Sequence, residues 1–377
     1  MHPLLTFARQ HLDEVVETIE ALVRLESPST EKAAVDRCGA ELARRLRAAG
    51  ADVELLRQDA RGDHIRARFA GSNGPKPVLL LGHFDTVWPA GTLERMPLRR
   101  DGDRLHGPGT FDMKAGIAMA LGAIAALRGT HTPHPPVTML WTTDEEIGSG
   151  TSRSIIEAAA RECAAVLVLE PALPGGPLKT ARKGCGEFEL TVHGVAAHAG
   201  LDPGKGASAI HELATQIAAI ERLQDLPSGV SVNVGVISGG SRPNVVAEEA
   251  TAIIDVRAPT REQAEALDAA FRSLQPVRAG TRLTLRGGFD RPPMERTPAV
   301  GALFSIARDV AAALGHDLRE GSAGGGSDGN FTAALGVPTL DGLGAIGDGA
   351  HASHEHVDVP SLAWRTALVA GLLAKLG

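Results

Sequence analysis

Trp141-Thr-Thr-Asp144-Glu145-Glu146-Ile147-Gly148-Ser-Gly150 is the stretch on which the reading of this chain turns. It follows an apolar β-type run, Pro136–Leu140, and precedes a helix-like segment from Thr151. Three acids in a row therefore stand where a buried strand gives way to a turn. Like charges repel, and burying them is costly unless a cation compensates. A solvated acidic turn is the ordinary reading of such a triplet. It gives way here because other strand ends supply the remaining parts of a metal site.

Working outward, Pro77–Gly82 and Ala164–Leu169 are continuous apolar runs of the kind buried on both faces of a parallel sheet. Pro136–Thr143 reads as another buried strand. Helical patterns separate them at Lys114–Arg128 and Thr151–Arg161, and shorter strand candidates precede them at Asp52–Leu56 and His64–Phe69. Residues 4–24 and 31–49 carry apolar residues at helical spacing. This alternation predicts an α/β domain with a mixed, largely parallel sheet and helices on both faces.

The texture changes near Arg182. Gly186–His193, Val230–Ile237, Ala247–Val256 and Thr281–Arg286 alternate like half-buried antiparallel strands, with helices at Ala207–Arg222 and Arg261–Leu274. Residues 183–290 read as a smaller α+β domain inserted into a catalytic domain of residues 1–182 and 291–377. After Arg291, helices are predicted at Ala299–Leu314, Ser327–Leu335 and Ser361–Leu376.

A length of 377 residues suits two domains. The hydrophobic fraction of 43% and charged fraction of 22% are those of a soluble globular protein. A net charge of −7 argues against nucleic acid as the main partner. No apolar run reads as a membrane span. The start reads as an amphipathic helix rather than an export signal, so a cytoplasmic location is expected, although a signal removed before this numbering would leave no trace. Cys38, Cys163 and Cys185 form no CxxC pair or disulfide framework and read as reduced thiols.

Four further segments carry chemistry. His83 and Asp85 close the strand Pro77–Leu81 and, two apart, point to one side of an extended backbone. A zinc-ligating histidine usually hands its other ring N–H to a carboxylate, for which Asp85 is a candidate. Asp112, in Gly107-Pro-Gly-Thr-Phe-Asp-Met-Lys114, reads either as a helix cap or as a carboxylate bridging two metals. Glu170 ends a buried strand where α/β proteins place their ligands. Gly349-Ala-His351-Ala-Ser-His354-Glu355 offers two histidines. Together, His83, Asp112, Glu146, Glu170 and His351 make one histidine and one carboxylate for each of two zinc ions plus a bridging carboxylate, and Glu145 is left as general base.

With these segments in place, the sequence resembles the dizinc exopeptidase and deacylase family of glutamate carboxypeptidase, aminoacylase, the dipeptidases and succinyl-diaminopimelate desuccinylase. Gly-His-Phe-Asp-Thr-Val-Trp-Pro, Gly-Pro-Gly-Thr-Phe-Asp-Met-Lys-Ala-Gly and Thr-Asp-Glu-Glu-Ile-Gly-Ser carry the likeness. The resemblance implies that His83 and Glu170 hold one zinc, Glu146 and His351 the other, and Asp112 both, with a cis peptide at Asp112–Met113. It prefers His351 to His354 because the family's ligand histidine precedes the next acid, here Glu355, by four. It further implies that His198, in Gly194-Val-Ala-Ala-His-Ala-Gly, reaches a partner's active site in a homodimer formed through the inserted domain, and that Asn244 binds substrate. Arg291 is a candidate for the substrate carboxylate, though it reads equally as a surface residue. Gly326 and Ser327 offer backbone N–H groups to the same anion.

The function expected is that of a metallopeptidase closest to the glutamate-carboxypeptidase branch. A metal-bridging water would attack an amide next to a free carboxylate in a small peptide or N-acyl amino acid, with Glu145 as base and Asp85 supporting. An N-acyl-amino-acid deacylase or dipeptidase is the near alternative, and a metal-free binding scaffold the alternative of another class. Zinc suits the N/O donor set, with cobalt or manganese as substitutes.

Overall fold

The computed structural model describes residues 2–74 and 76–377. The chain forms two compact units. The first runs to Thr180 and resumes over Arg296–Ala323 and Ser327–Gly377; the second is Ala181–Glu295 with Gly324–Gly326. The breaks thus fall after Thr180 and Glu295 rather than after Arg182 and Asp290, and three glycine-loop residues join the second unit.

The first unit is built on a six-stranded sheet. Its strand order is Asp52–Leu56, His64–Phe69, Val137–Thr142, Val78–His83, Ala165–Val168 and Thr339–Leu340. The last four run parallel, and the first two pair antiparallel. Val78–His83 is buried at every position, as its unbroken apolar run predicts.

The strand's alternation decides which helices cover which face. Val78 and Leu80 pack with the helices Lys32–Ala48, Ala115–Gly129 and Val359–Lys375 through Leu42, Ile117, Ala120 and Leu368. Leu79 and Leu81 point the other way, onto Ile156 and Ala160 of Arg153–Glu162 and onto Phe331. Each fully buried leucine contributes about 1.5–3 kcal/mol, so both faces must be covered for the strand to be stable.

The second unit has an antiparallel sheet in the order Ser231–Gly239, Glu249–Ala258, Gly184–His193 and Arg282–Arg291. Phe188, Leu190 and Val192 alternate inward against Ala209–Ile220 and Arg261–Arg272, with Phe188 stacked on Phe271 at 4.3 Å. Ser208 and Thr260 cap these helices by accepting from the backbone N–H of His211 and Gln263.

Several local expectations need correction. Residues 4–24 form two helices, Pro3–Gln10 and Leu12–Arg24, broken at His11 where ψ turns to 21°. The Ser327–Leu335 helix shrinks to Gly329–Ala334. Thr110–Gly129 is, by length and composition, apolar enough to cross a membrane, which the sequence expectation missed. Most of it is buried, so its apolar surface is spent on the core of the first unit. A small sheet of Gly347–Asp348, His356–Asp358, Arg104–His106 and Arg99–Asp101 was also not foreseen. Its strands are two or three residues long, too short for any periodic signal.

Candidate metal centre

Three neighbouring strands place their C-terminal ends side by side. His83 is the last residue of its strand and lies opposite Thr142, while Leu81 pairs with Val168 on the other side. The chain then leaves the sheet as Asp144-Glu145-Glu146 from one neighbour and as Glu170 from the other. Hydrogen bonds from Phe84 N–H to Thr142 O (3.1 Å) and from Leu169 N–H to Leu81 O (2.9 Å) continue the ladder to these residues. This is the edge at which α/β sheets collect ligands.

Asp112 arrives from the tight segment Thr110–Lys114, with φ −112° and ψ 95°, and the Asp112–Met113 peptide is cis. It is not a helix cap: Lys114 holds the cap position of Ala115–Gly129. Met113 tucks beneath the strand end, where its sulfur accepts from His83 N–H at 3.4 Å. Gly82 makes room for this approach, since a Cβ there would fall 2.3 Å from Met113 Cε.

His83 Nε2 lies 3.3 Å from Asp112 Oδ1 and 3.4 Å from Glu170 Oε1. His351 Nε2 lies 3.4 Å from Asp112 Oδ2 and 3.0 Å from Glu146 Oε2. Two donor triads result, His83–Asp112–Glu170 and Asp112–Glu146–His351, each with its ligand atoms within 4.8 Å of one another. Asp112 serves both, one oxygen to each.

Whether a metal fits can be judged from these spacings. Bonds of about 2.0–2.1 Å to a tetrahedral ion place neighbouring donor atoms about 3.3–3.5 Å apart. His83 Nε2, Asp112 Oδ1 and Glu146 Oε1 are all buried without a hydrogen-bond partner. Buried polar atoms are normally satisfied, so donors converging at ligand-to-ligand distance fit a pair of cations.

The electrostatics agree. Burial opposes charge on His83, yet the carboxylates of Asp112, Asp85 and Glu170 outweigh it and hold the imidazole pKa well above its ordinary value. Asp112 and Glu146 raise His351 to about 10. Burial opposes ionisation of Asp112, but the two imidazoles hold it well below the usual carboxylate range. Burial raises Glu146. The acids demand positive charge, which a divalent ion supplies more fully than imidazolium.

Asp85 lies behind His83. Its backbone oxygen is 3.1 Å from His83 Nδ1 and its Oδ1 is 3.3 Å from the same atom, which turns Nε2 toward the donors. Its Oδ2 accepts from Ser29 Oγ at 2.7 Å and from Glu146 N–H at 3.4 Å. Asp85 thus ties one triad to the other, on the side of His83 away from the donor cluster. Glu145 is half-buried at the start of the short turn Glu145–Ile147.

Asp144, the first acid of the triplet, points inward as an anchor. Its Oδ2 accepts from Thr151 N–H (2.6 Å) and Oγ1 (2.7 Å), and its backbone oxygen from Ser149 N–H (2.7 Å). Asp328 accepts from Thr142 Oγ1 and Ser149 Oγ at 3.1 and 2.5 Å and grips both ends of the turn. His64 joins Thr143 Oγ1 and Thr151 Oγ1 at 3.0 and 3.1 Å. No sequence signal marked Asp328 or His64, because their partners are remote in the chain.

His354 stands apart from both triads, 63% exposed and 3.8 Å from Asp348. Ser327 must be corrected as an anion contact: its N–H donates to Asn330 Oδ1 at 2.9 Å and its hydroxyl to Asp341 Oδ2 at 2.6 Å. The side-chain cap has taken one of the two N–H donors that Gly326 and Ser327 were expected to offer. The other predicted substrate contacts belong to the second unit. His198 is exposed, its Nδ1 accepting from Gly200 and Leu201 N–H at 3.1 and 3.0 Å. It bridges Val245, and Ala199 N–H donates to Asn244 O, so the His198 and Asn244 loops are neighbours. Arg291 ends its strand and is 7% exposed; a Cβ on Gly326 would fall 2.8 Å from Arg291 Cδ.

The fold and the paired triads together define an α/β protein with donor groups for a pair of metal ions at the ends of its parallel strands. The chain belongs to peptidase family M20/M25/M40, whose family model matches residues 79–375. It is 29% identical to carboxypeptidase G2 of Pseudomonas sp. (strain RS-16), over 96% of this chain and 89% of that protein. A putative succinyl-diaminopimelate desuccinylase of Mycobacterium tuberculosis is 30% identical over 92% of this chain and 94% of its own length. Among solved structures, aminopeptidase PepT from Bacillus cereus superposes with a TM-score of 0.82 at 22% identity, covering 97% of this chain and 98% of its own. The YXEP protein of Bacillus subtilis, described as a dinuclear metal-binding peptidase, gives 0.69 at 14% identity, covering 97% and 98%.

Proposed function

We propose that the protein is a zinc-dependent exopeptidase of the carboxypeptidase kind, cleaving an amide bond next to a free C-terminal carboxylate. The observation that carries this reading is the pair of donor triads sharing Asp112. Likeness to carboxypeptidase G2 over nearly the whole chain supports the choice of branch.

His83, Asp112 and Glu170 would hold one ion, and Asp112, Glu146 and His351 the other. When bound, such ions supply Lewis acidity toward the amide carbonyl and acidify water. Glu145, beside a ligand but in neither triad, takes the proton of the attacking water and delivers it to the leaving nitrogen. Asp85 keeps the His83 ring turned for this work. Arg291 and Asn244 are assigned to the substrate, and His198 of a second subunit to the developing oxyanion. Val236 and Ile237, 59% and 64% exposed on the edge strand Ser231–Gly239, support a homodimer through the second unit.

The test is a hydrolysis screen of acyl, benzoyl, folyl and dipeptidyl amino acids with zinc, cobalt or manganese added back. Glu145→Gln should lower kcat by about 10²–10⁴-fold while leaving metal content unchanged. An unchanged rate defeats the assignment. An N-acyl-amino-acid deacylase is the second reading, favoured by the likeness to the desuccinylase. Preference for a short acyl group over peptidyl substrates would select it.

A further inference from the structure

Glu355 belongs to neither donor triad, yet its carboxylate is buried and fully engaged. One oxygen, Oε1, accepts from the backbone N–H of Phe111 at 2.9 Å and of Asp112 at 3.0 Å. The other, Oε2, accepts from Gly109 N–H and from Trp88 Nε1, both at 2.9 Å. The backbone of Glu355 adds Gly107 N–H to its own oxygen at 3.3 Å and its N–H to Ala352 O at 3.0 Å. Four donors on one carboxylate thus draw together the segment after the His83 strand, the turn carrying Asp112 and the loop carrying His351.

The pairing of Gly347–Asp348 with His356–Asp358 closes the base of that loop, and Gly349 N–H to Asp348 Oδ1 and Ala352 N–H to Gly349 O, both at 2.8 Å, shape its tip. His351 adopts φ +59°, a region unusual for a side-chain-bearing residue, and Gly349 stands at φ +84°. A Cβ on Gly349 would fall 2.8 Å from Glu355 N, so the loop closes directly onto Glu355. Arg104–His106 pairs with His356–Asp358 below the loop, and above that pairing the Glu355 carboxylate is bonded directly to the Asp112 turn.

We propose that Glu355 is a positioning residue of the metal centre: its carboxylate locks the Asp112 turn to the His351 loop and so fixes the geometry of the Asp112–Glu146–His351 triad. This rests on the reading of the two triads as a dimetal site. Asp112 serves both ions, so both feel Glu355. The His351 ion depends on Glu355 through two of its three donors, the His83 ion through one. Partners of this kind typically account for 10–100-fold in metal affinity.

The experiment uses the full chain stripped of metal and titrated with Zn²⁺ against a chromophoric chelator, then with Co²⁺ followed by its visible absorption. Glu355→Gln keeps the size of the side chain but turns an NH₂ group toward two N–H donors. The expected result is one ion bound as in the wild type to within a few fold and the other about 10–100-fold more weakly, with an altered Co²⁺ spectrum. A merely structural role would lower the melting temperature of the metal-free protein and weaken both ions alike, which overturns the proposal. So does a folded Glu355→Gln that binds both ions as the wild type does. If Glu355→Gln does not fold, Trp88→Phe decides: it removes one donor and should weaken the same ion by about 2–10-fold. An unchanged Trp88→Phe then overturns the proposal. A wild-type chain that takes up no metal overturns the dimetal reading itself, a result distinct from all of these.

Discussion

The two donor triads share Asp112 and differ in how their other members are held. His83 is 1% exposed, ends a strand buried on both faces, and has its second ring nitrogen engaged by Asp85. Glu170, 10% exposed, follows the neighbouring strand by two residues. His351 is 51% exposed and sits in a loop at positive φ. One triad is thus preformed by the sheet, and the other is completed by a loop that closes over it. Donors fixed in advance lose less freedom on binding, and a buried site excludes competing water. The His83 triad should be the tighter one and the His351 triad the one that exchanges.

The most drastic way to break this contrast is to remove what the triads share. Asp112→Ala should abolish uptake of both ions and lower hydrolysis by about 10²–10³-fold or more, measured by metal analysis after dialysis and by initial rates. Retention of one tightly bound ion would show that the sites are independent. Next in size comes the asymmetry itself. His351→Ala should keep one tightly held ion per chain, and His83→Ala should leave only the weaker ion of the His351 triad. The reverse pattern in a chelator titration would invert the comparison.

A gentler probe leaves the sequence alone. Dialysis against a weak chelator should remove the bound metal in two stages, with a plateau near one ion per chain. A single-stage loss would mean the loop and the sheet hold their ions equally.

The smallest effect lies on the surface, where the same logic of burial predicts little. Hydrogen bonds from Arg44 and then Arg45 pull the Glu41 carboxyl down to about 2. Its folded pKa is below its ordinary value of 4.5, so its stabilisation is complete above that value and is lost as pH falls toward about 2. The group is solvent-screened, so Glu41→Gln should cost about 1 kcal/mol or less at neutral pH and nothing below pH 2, read from urea melts across pH. A large effect would show that exposed pairs matter here as much as buried ones.

The strands were legible because a strand buried on both faces cannot hide its composition: Val78–His83 is apolar up to its terminal His83, Ala165–Val168 throughout, and Val137–Thr142 but for its two threonines. The five donor residues were legible because each stands at a strand end or in a motif with a short local pattern. What escaped is what depends on remote partners. Glu355 gains its meaning from Trp88 and the Gly109–Asp112 turn, Asp328 from Thr142 and Ser149, and Ser29 from Asp85. Ser327 was misread because a helix start was credited with open N–H groups, while Asn330, three residues on, accepts from that of Ser327. The boundary near Arg182 was read only to within a few residues, since the strand Leu178–Arg182 runs across it.

His83 and His351 are far apart in the sequence, and the strands and turns that carry Asp112, Glu146 and Glu170 are all made in its first half. During translation the ribosome releases four of the five donors long before the fifth. A nascent chain therefore holds every donor of the His83 triad before the loop bearing His351 exists. The second triad waits for the segment bearing His351 and Glu355 to be made and to close on the Asp112 turn.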